Sequence, residues 1–369
     1  MTARIREHLR GNVVAYVALF AALCGSAYAA ARIGPKDIRR NAVRSRHIKN
    51  GQVKRPDVGA AAINGVKVGD GSLTGADVAG DSLGGAQVDE AKLFTSTRVV
   101  SPGATPAASG QKLQDALAAV PVGELWVLKL EPGVYEVPAP LHLRDNIKIE
   151  GSGTFSTEII SSAGGPTVLS AVGRATTMSD LVIGSGPGET ALFAQSGGVL
   201  LDQVSVAANG SSGFVFGIHA TGGSVLLQDS AVNAFGSGAG ATVAAAQVEA
   251  GSTIRVVDSG LSASANGAGA VATALAVKDT ANARASSFTA SGQAGGQGFG
   301  VVASGSNALA QIDASTISGT TDAVGAAGTN KVQVGASKVI GGSNVAAPNV
   351  TCVFSYKEDY APVNASTCN

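Results

Sequence analysis

The sequence is poor in aromatic and in charged residues. Phe, Tyr and Trp together make up 4% of its 369 residues, and charged residues make up 14%, against about 25% charged residues in an average domain. The 26 basic and 26 acidic residues cancel, which excludes the high net charge typical of disordered chains. With so few large side chains, a single deep globular core is not expected. The aromatic deficit also argues against a sugar-binding cleft lined with stacking rings.

Glycine and small apolar residues take the place of the missing types. The chain contains 50 glycines, but none of the strict three-residue spacing that collagen requires. It also lacks the Glu, Lys and Leu enrichment of a coiled coil. The composition therefore predicts thin, repetitive β-structure packed with Ala, Val and Ser.

Residues 1–29 have the pattern of a secretory signal peptide. Arginines near the start precede an apolar run over 13–23, and the small-x-small triplet at 27–29 is a cleavage site. Two alternatives remain open, a retained anchor and a lipoprotein acylated at Cys24, although Leu23 departs from the lipobox. The chain is therefore expected outside the cell or at its surface, with no transmembrane span after signal cleavage.

Export determines how the cysteines are interpreted. Once Cys24 leaves with the signal, Cys352 and Cys368 remain, and a pair of cysteines in an oxidising compartment predicts a disulfide. The loop of about 16 residues that it closes corresponds to about 3 kcal/mol in the chain-entropy model. Two cysteines without nearby histidines form no zinc site.

An apolar residue recurs at every fifth position through residues 30–97, a period of neither helix nor strand. The series is Ile33, Ile38, Val43, Ile48, Val53, Val58, Ile63, Val68, Leu73, Val78, Leu83, Val88 and Leu93. Pentapeptide-repeat helices have such a period, but they also need a small residue two positions earlier, where this chain has Lys36 and Arg46. The alternatives are an extended stalk that forms a homotrimer through its apolar stripe and a flexible linker.

The stalk region carries an uneven charge. Residues 32–60 contain nine Lys or Arg against two Asp, whereas residues 61–93 are more acidic. A basic segment next to the export signal is suited to an anionic membrane or wall polymer, and it equally suits a soluble linker. No aromatic residues interleave with the basic ones, so nucleic-acid binding is not expected.

A longer repeat of 22–29 residues follows, in the order apolar, any residue, apolar, four residues, apolar. Its copies are Val199-x-Leu201…Val206, Val225-x-Leu227…Val232, Ile254-x-Val256…Leu261, Ala283-x-Ala285…Ala290, Ala310-x-Ile312…Ile317 and Val332-x-Val334…Val339. A second short apolar strand lies between copies. This pattern predicts an all-β fold, a parallel β-helix over 98–351, in which one strand stacks on the next.

Two segments are expected to cap this solenoid. A helix over 111–120, with Ser109 as its N-cap, would cover the first coil. The disulfide-closed tail, residues 352–369, would cover the last coil.

The start of the repeat region resembles the pectin-lyase-like superfamily of right-handed single-stranded β-helices. The resemblance runs from 113–117 through the turn Pro132-Gly133-Val134-Tyr135 to 149–153. In that superfamily a capping helix leads to such a turn and then to a strand that ends in a glycine-rich corner. The resemblance implies an extracellular protein, often one that faces carbohydrate.

Aligned coils predict one candidate catalytic constellation. One column contains Gln203, Asp229, Asp258 and Ser287. Asp229 and Asp258 would then be about 5 Å apart, and Arg255 and Arg284 would be neighbours in an outward-facing column. Carboxylates this close can bind Ca²⁺ or split their pKa values. Alternatively, the aspartates are turn residues and the arginines are solvated.

The favoured function is that of a secreted or cell-surface protein, structural or adhesive and non-enzymatic, that binds a polysaccharide or cell-envelope polymer. The alternative is a polysaccharide lyase or pectinesterase-like enzyme. No cofactor is expected, and Ca²⁺ enters only under the lyase alternative. His142 and His219 lack a nucleophilic partner in the sequence and are assigned structural roles.

Overall fold

The computed structural model describes residues 2–29, 36, 38–59, 62–63, 67–68, 96–121, 123–171, 176–186, 189–211, 213–341, 349–365 and 368. The chain divides into two compact units, Met1–Val88 and Asp89–Asn369, and each is described by itself. In the first unit, helices α1 (Thr2–Gly11) and α2 (Val13–Ala29) occupy the predicted signal segment. Within the described residues, no helix combines the length and apolarity needed to cross a membrane.

Where the structure describes it, between residues 39 and 62, the five-residue repeat forms one tight turn per pentad. A backbone N–H donates to the carbonyl three residues earlier at each step: Ala42 to Arg39, His47 to Arg44, Gln52 to Lys49, Asp57 to Lys54 and Ala62 to Gly59. Short 3-10 turns at Ser45–His47 and Arg55–Asp57 mark alternate pentads.

The apolar residues that follow these turns are exposed over 37–60% of their surface: Ile38, Val43, Ile48, Val53, Val58 and Ile63. The single chain therefore leaves these six residues largely in solvent, whereas Val68 is half-buried. Ile33 and the members from Leu73 to Leu93 lie outside the described residues.

The predicted capping helix is present in the second unit, but it begins earlier than expected. Helix α3 spans Pro106–Ala118, and its N-cap is Thr105, which accepts a hydrogen bond from the Ala108 N–H at 3.2 Å. Pro106 suits the first turn, where its missing N–H would have no helical partner. Ser109, the expected cap, is instead buried, and its hydroxyl donates to the Thr105 carbonyl at 3.0 Å.

Helix α3 packs closely on strand β3 (Gly133–Val137). A Cβ atom on Gly110 would lie 1.9 Å from the Glu136 carbonyl oxygen, so the helix backbone itself approaches the strand. At the other end, Arg144 Nη1 donates to the Leu117 carbonyl at 2.9 Å. The same nitrogen donates to the Val120 carbonyl at 2.8 Å, just beyond the helix end, where carbonyls lack partners within the helix.

From β2 onward the chain winds into coils with three faces, and every strand pair in the described residues is parallel. Face 1 contains β1 (Thr97–Val100), β2 (Trp126–Leu130), β5 (Ile147–Glu150), β12 (Ser224–Gln228), β15 (Thr253–Val257), β18 (Thr280–Arg284), β21 (Leu309–Asp313), β24 (Lys331–Gly335) and β26 (Val350–Val353). Face 2 contains β3, β6 (Thr157–Ser161), β13 (Ala231–Gly236), β16 (Gly260–Asn266), β19 (Ser287–Gln293), β22 (Thr316–Gly319) and β25 (Lys338–Gly341). Two longer strands, β8 (Thr176–Gly184) and β10 (Gly198–Gly210), run from face 1 into face 2.

Face 3 completes each coil and forms a separate sheet. Its strands are β4 (Leu141–Leu143), β7 (Val168–Ala171), β9 (Thr190–Ser196), β11 (Phe214–Ala220), β14 (Thr242–Val248), β17 (Val271–Val277), β20 (Gln297–Ala303) and β23 (Asp322–Ala326). The coil is right-handed, as the connections between parallel strands of one sheet almost always are. The predicted all-β solenoid with an N-terminal capping helix is thus confirmed.

The core consists of apolar ladders that run along the coil axis. The ladder of face 1 contains Leu128, Ile149, Met178, Leu201, Leu227, Val256, Ala283, Ile312, Val334 and Cys352, all buried. Successive side chains of a strand point to opposite sides of the sheet. In each strand of face 1, the residues next to the ladder member therefore point outward.

A corner in the left-handed conformation joins face 1 to face 2. Its residues, with φ between 45° and 57°, are Asp180, Gln203, Asp229, Asp258, Ala285, Ala314, Ala336 and Phe354. A buried serine follows most of them, and this serine ladder contains Ser230, Ser259, Ser286, Ser315, Ser337 and Ser355. Each hydroxyl accepts the N–H from the corner of the preceding coil at 3.0–3.3 Å. It also donates to a carbonyl two residues earlier in its own coil.

One coil differs from the sequence prediction. The segment 281–290 offers the apolar spacing twice, because Ala281, Ala283 and Ala285 alternate. In the structure Ala281 and Ala283 are the inward members and Phe288, fully buried, is the third. The predicted unit Ala283-x-Ala285…Ala290 is therefore wrong by two residues. Three equivalent alanines do not determine the register. Burial of the large Phe288 side chain determines it.

The C-terminal segment is joined to the last strand of face 1. Cys352 in β26 and Cys368 form the predicted disulfide, with Cα atoms 5.4 Å apart. Both residues are buried, and the Cys352 N–H donates to the Ala365 carbonyl at 2.8 Å. The tail thus contacts the end of the solenoid through a covalent bond and backbone pairing.

Candidate functional site

The two candidate aspartates occupy the same corner of adjacent coils. Asp229 and Asp258 have φ of 47° and 48°, and the residues on either side of them are in register. Both are exposed, and neither side chain forms an ion pair or hydrogen bond with the described residues. Short polar side chains tolerate the left-handed conformation, which accounts for aspartate here. Ser287, expected in this column, lies on face 2 instead, and Ala285 takes its place.

The two candidate arginines do not share a column. Arg255 pairs with Asn282 on the next strand, whereas Arg284 lies opposite Val257 and Asp313. The expected Arg255–Arg284 column is therefore wrong, because it depended on the two-residue error in the 281–290 coil. The arginines are instead diagonal neighbours, with Cα atoms roughly 8 Å apart by strand geometry.

Both arginines line a shallow depression on face 1. Its volume is about 280 Å³, and its outward-facing lining residues are Arg255, Val257, Asn282, Arg284, Gln311 and Asp313. A second depression of about 270 Å³ follows, lined by Gln311, Asp313, Gln333, Gly335, Thr351 and Val353. The two adjacent depressions share Gln311 and Asp313 and together cross β15, β18, β21, β24 and β26, and they are termed here the polar groove. Four strand spacings give it a length of roughly 19 Å.

The polar groove presents more positive than negative charge. Neither Arg255 nor Arg284 forms an ion pair with the described residues, and Asp313 is the one carboxylate in the lining. A Cβ atom on Gly335 would lie 2.1 Å from Asp313 Oδ1, so this glycine leaves room for the carboxylate. The Gln311 amide donates to Gln333 Oε1 at 2.9 Å. Guanidinium groups and amides are suited to carboxylate and hydroxyl groups of a ligand.

A second polar cluster, not predicted from the sequence, lies on face 3. His219 is packed between Phe193 and Phe216, with ring centroids 5.2 Å and 4.6 Å away. Its Nε2 atom is 3.6 Å from Glu249 Oε1. Lys278 Nζ lies 2.9 Å from the same oxygen.

Gln247 also donates to this oxygen of Glu249. Burial lowers the pKa of His219, and the charge of Glu249 offsets this only in part. Partial burial would raise the pKa of Glu249, but hydrogen bonds from Lys278 and Gln247 hold it below its usual value. His219 is therefore neutral and Glu249 ionised near neutral pH.

Sequence spacing alone did not reveal this cluster. His219 and Gln247 occupy neighbouring coils in register, and Glu249 and Lys278 follow the ends of β14 and β17. Their separations match the coil repeat, so an alignment of face 3 strands would have brought them together. Within the described residues, no group of three or more His, Cys, Asp or Glu could hold a metal ion.

Neither a family model nor a curated protein matches the sequence. Solved structures of similar fold include pectin methylesterase PemA from Erwinia chrysanthemi, with 12% identity, 73% of this chain and 91% of that chain covered, and a TM-score of 0.40. Another is the A-module of the mannuronan C-5 epimerase AlgE6 from Azotobacter vinelandii, with 20% identity and a TM-score of 0.40. The match covers 71% of this chain and 78% of that chain.

This protein is a right-handed parallel β-helix. The assignment concerns the fold alone. It follows from the parallel three-faced coil, from the capping helix α3, and from the turn at Pro132–Tyr135, whose tyrosine is fully buried. The Tyr135 hydroxyl lies 2.7 Å from the Val100 carbonyl, and burial together with the charge of Glu131 raises the pKa of Tyr135 to about 12. The β-helix thus carries two candidate sites, the polar groove and the face 3 cluster.

Proposed function

We propose that this β-helix is an exported surface protein that binds an anionic polysaccharide along the polar groove without altering it chemically. The observation that carries the proposal is the groove itself, which runs along the coil axis and contains two arginines, neither in an ion pair with the described residues, against one carboxylate, Asp313. A polymer chain fits a channel that crosses several coils better than a small molecule does. The excess of positive charge favours a polyuronate or another acidic glycan.

Binding to polygalacturonate, with neutral dextran as the comparison polymer, tests this proposal. We expect polygalacturonate to bind, dextran not to bind, and the affinity to fall as salt is added, because exposed charges are screened. Each exposed arginine contributes about 1 kcal/mol, so Arg255→Ala and Arg284→Ala should each weaken binding about fivefold. Arg98→Ala, which removes an exposed arginine from β1, is the matched control.

Two results would overturn the proposal. One is that the Arg255→Ala/Arg284→Ala variant binds polygalacturonate with the same affinity as the parent protein. The other is turnover of the polymer, with or without added Ca²⁺, that disappears in Asp229→Ala. The second result would establish the alternative function, a polysaccharide lyase or pectinesterase-like enzyme.

The N-terminal unit supports a surface location in this proposal. Residues 1–29 act as the export signal, and residues 30–97 form a stalk that assembles three chains. The apolar pentad residues support this assembly, because 37–60% of their surface is exposed in a single chain. Association would reduce that exposed apolar surface. Sedimentation of the mature protein tests the assembly, and a monodisperse monomer would eliminate the trimer while leaving groove binding intact.

A further inference from the structure

Two opposite charges lie side by side in the polar groove without pairing. Arg284 and Asp313 are directly opposite each other on β18 and β21, which places their Cα atoms about 5 Å apart. Among the described residues the two side chains nevertheless form no ion pair with each other. At this separation an ion pair is within reach of both side chains, so another feature determines where the Asp313 carboxylate lies.

Gly335 leaves the space that this carboxylate occupies. It lies directly opposite Asp313 on β24, and a Cβ atom there would be 2.1 Å from Asp313 Oδ1. Since β24 and β18 flank β21 on opposite sides, the carboxylate over Gly335 is directed away from Arg284. A larger residue at 335 would displace the carboxylate from this position.

The polar groove is consequently divided by charge along the coil axis. Its first depression contains Arg255 and Arg284, which are suited to a ligand carboxylate. Its second depression contains the Asp313 carboxylate, and its described lining includes no basic residue. The other polar groups there are uncharged, and among them the Gln311 amide donates to Gln333 Oε1 at 2.9 Å.

This division determines which kind of sugar unit suits each depression. A uronate unit in the second depression would bring its carboxylate close to that of Asp313, and like charges repel. An uncharged unit instead offers hydroxyl groups that donate to the Asp313 carboxylate and exchange hydrogen bonds with the glutamine amides. The second depression therefore favours an uncharged unit, whereas the first favours a uronate.

We propose that the polar groove selects a polysaccharide that contains both kinds of unit, with a uronate held by Arg255 and Arg284 and an uncharged sugar held beside Asp313. This inference rests on the proposed function, because it names the class of acidic polysaccharide bound at the same site. A polymer with a carboxylate on every unit always places one beside Asp313. Asp313 is thus the residue that distinguishes the two classes of polymer, and Gly335 positions it.

Binding of hyaluronan and polygalacturonate fragments of equal chain length to the full-length protein tests the inference. Hyaluronan alternates a uronate with an uncharged N-acetylhexosamine, so a shift of one unit brings an uncharged sugar beside Asp313. We expect Asp313→Asn to raise the affinity for polygalacturonate about fivefold, the effect of one exposed charge. The affinity for hyaluronan should stay within about twofold of the parent value.

Asp202→Asn is the matched control, because it removes a carboxylate from the same outward column of face 1, four strands away from Asp313. It should leave both affinities unchanged. Gly335→Ala is an independent test that keeps the charge of the protein. Its added methyl group displaces the Asp313 carboxylate from the second depression, so the affinity for polygalacturonate should rise relative to that for hyaluronan.

The possible failures of this inference and of the proposed function are distinguishable. If polygalacturonate bound and hyaluronan did not, the inference would be wrong while the proposed function remained. The same conclusion would follow if Asp313→Asn changed the polygalacturonate affinity no more than Asp202→Asn, or raised both affinities equally. If neither polymer bound, the proposed function would fail and this inference with it.

Discussion

Replacement of one serine in the buried ladder should destabilise the β-helix by an amount that the structure specifies. Ser259 is 5% exposed, and its hydroxyl accepts the Ser230 N–H at 3.0 Å and donates to the Val257 carbonyl at 2.7 Å. In Ser259→Ala the buried Ser230 N–H loses the acceptor that it has among the described residues. An unsatisfied buried group costs about 1–3 kcal/mol, and the free energy of unfolding should fall by that amount.

Urea denaturation of the full-length protein measures this loss, and hydrogen exchange at the Ser230 amide locates it. Ser262→Ala is the matched control, because Ser262 lies in the same coil, three residues further along in β16, but points outward from face 2. Its free energy of unfolding should stay within about 0.5 kcal/mol of the parent. If Ser259→Ala cost no more than Ser262→Ala, the serine ladder would be a by-product of the corner and not one of its supports.

Three further changes test other parts of the fold. Gly110→Ala should lower the melting temperature well beyond Gln111→Ala, because its Cβ would lie 1.9 Å from a carbonyl oxygen of β3; equal melting temperatures would mean that α3 is not docked there. Replacing Cys352 and Cys368 by serine should cost about 3 kcal/mol of unfolding free energy in urea, and a cost near zero would contradict a structural role for the bond. Burial lowers the pKa of His219 in the folded protein. Below about pH 6.5 the unfolded chain therefore binds more protons than the folded one, and the free energy of unfolding decreases as the pH decreases. In His219→Gln this part of the pH dependence should vanish in denaturation curves from pH 7 to 5.

The sequence was sufficient to predict the solenoid, because a repeat of stacked strands places similar residues at similar positions. Val225, Leu227 and Val232 were expected to be inward and all are buried. Prediction failed where side chains were too alike, as in the alternating alanines 281–285. The wrong register there carried over directly to Arg255 and Arg284. The start of α3 was also misplaced, because Ser109 and Thr105 are both acceptable caps and only packing selects between them.

The candidate sites depend on geometry that the sequence does not contain. The low aromatic content follows from composition, but composition does not show that Phe193 and Phe216 both pack against His219. Coil lengths vary between 22 and 29 residues in the repeat. A small error in aligning the coils therefore changes which polar groups are predicted to lie together. The polar groove likewise depends on which residues of β15 to β26 face outward in register.

The pentad turns give the first unit a property that the β-helix lacks. Each turn closes its hydrogen bond within its own five residues, as from Asp57 to Lys54, whereas each strand of the solenoid is bonded to the coils before and after it. Whole pentads can therefore be inserted or deleted without leaving a neighbour unpaired. The length of such a segment can therefore change by whole pentads while the bonding of every remaining turn stays the same.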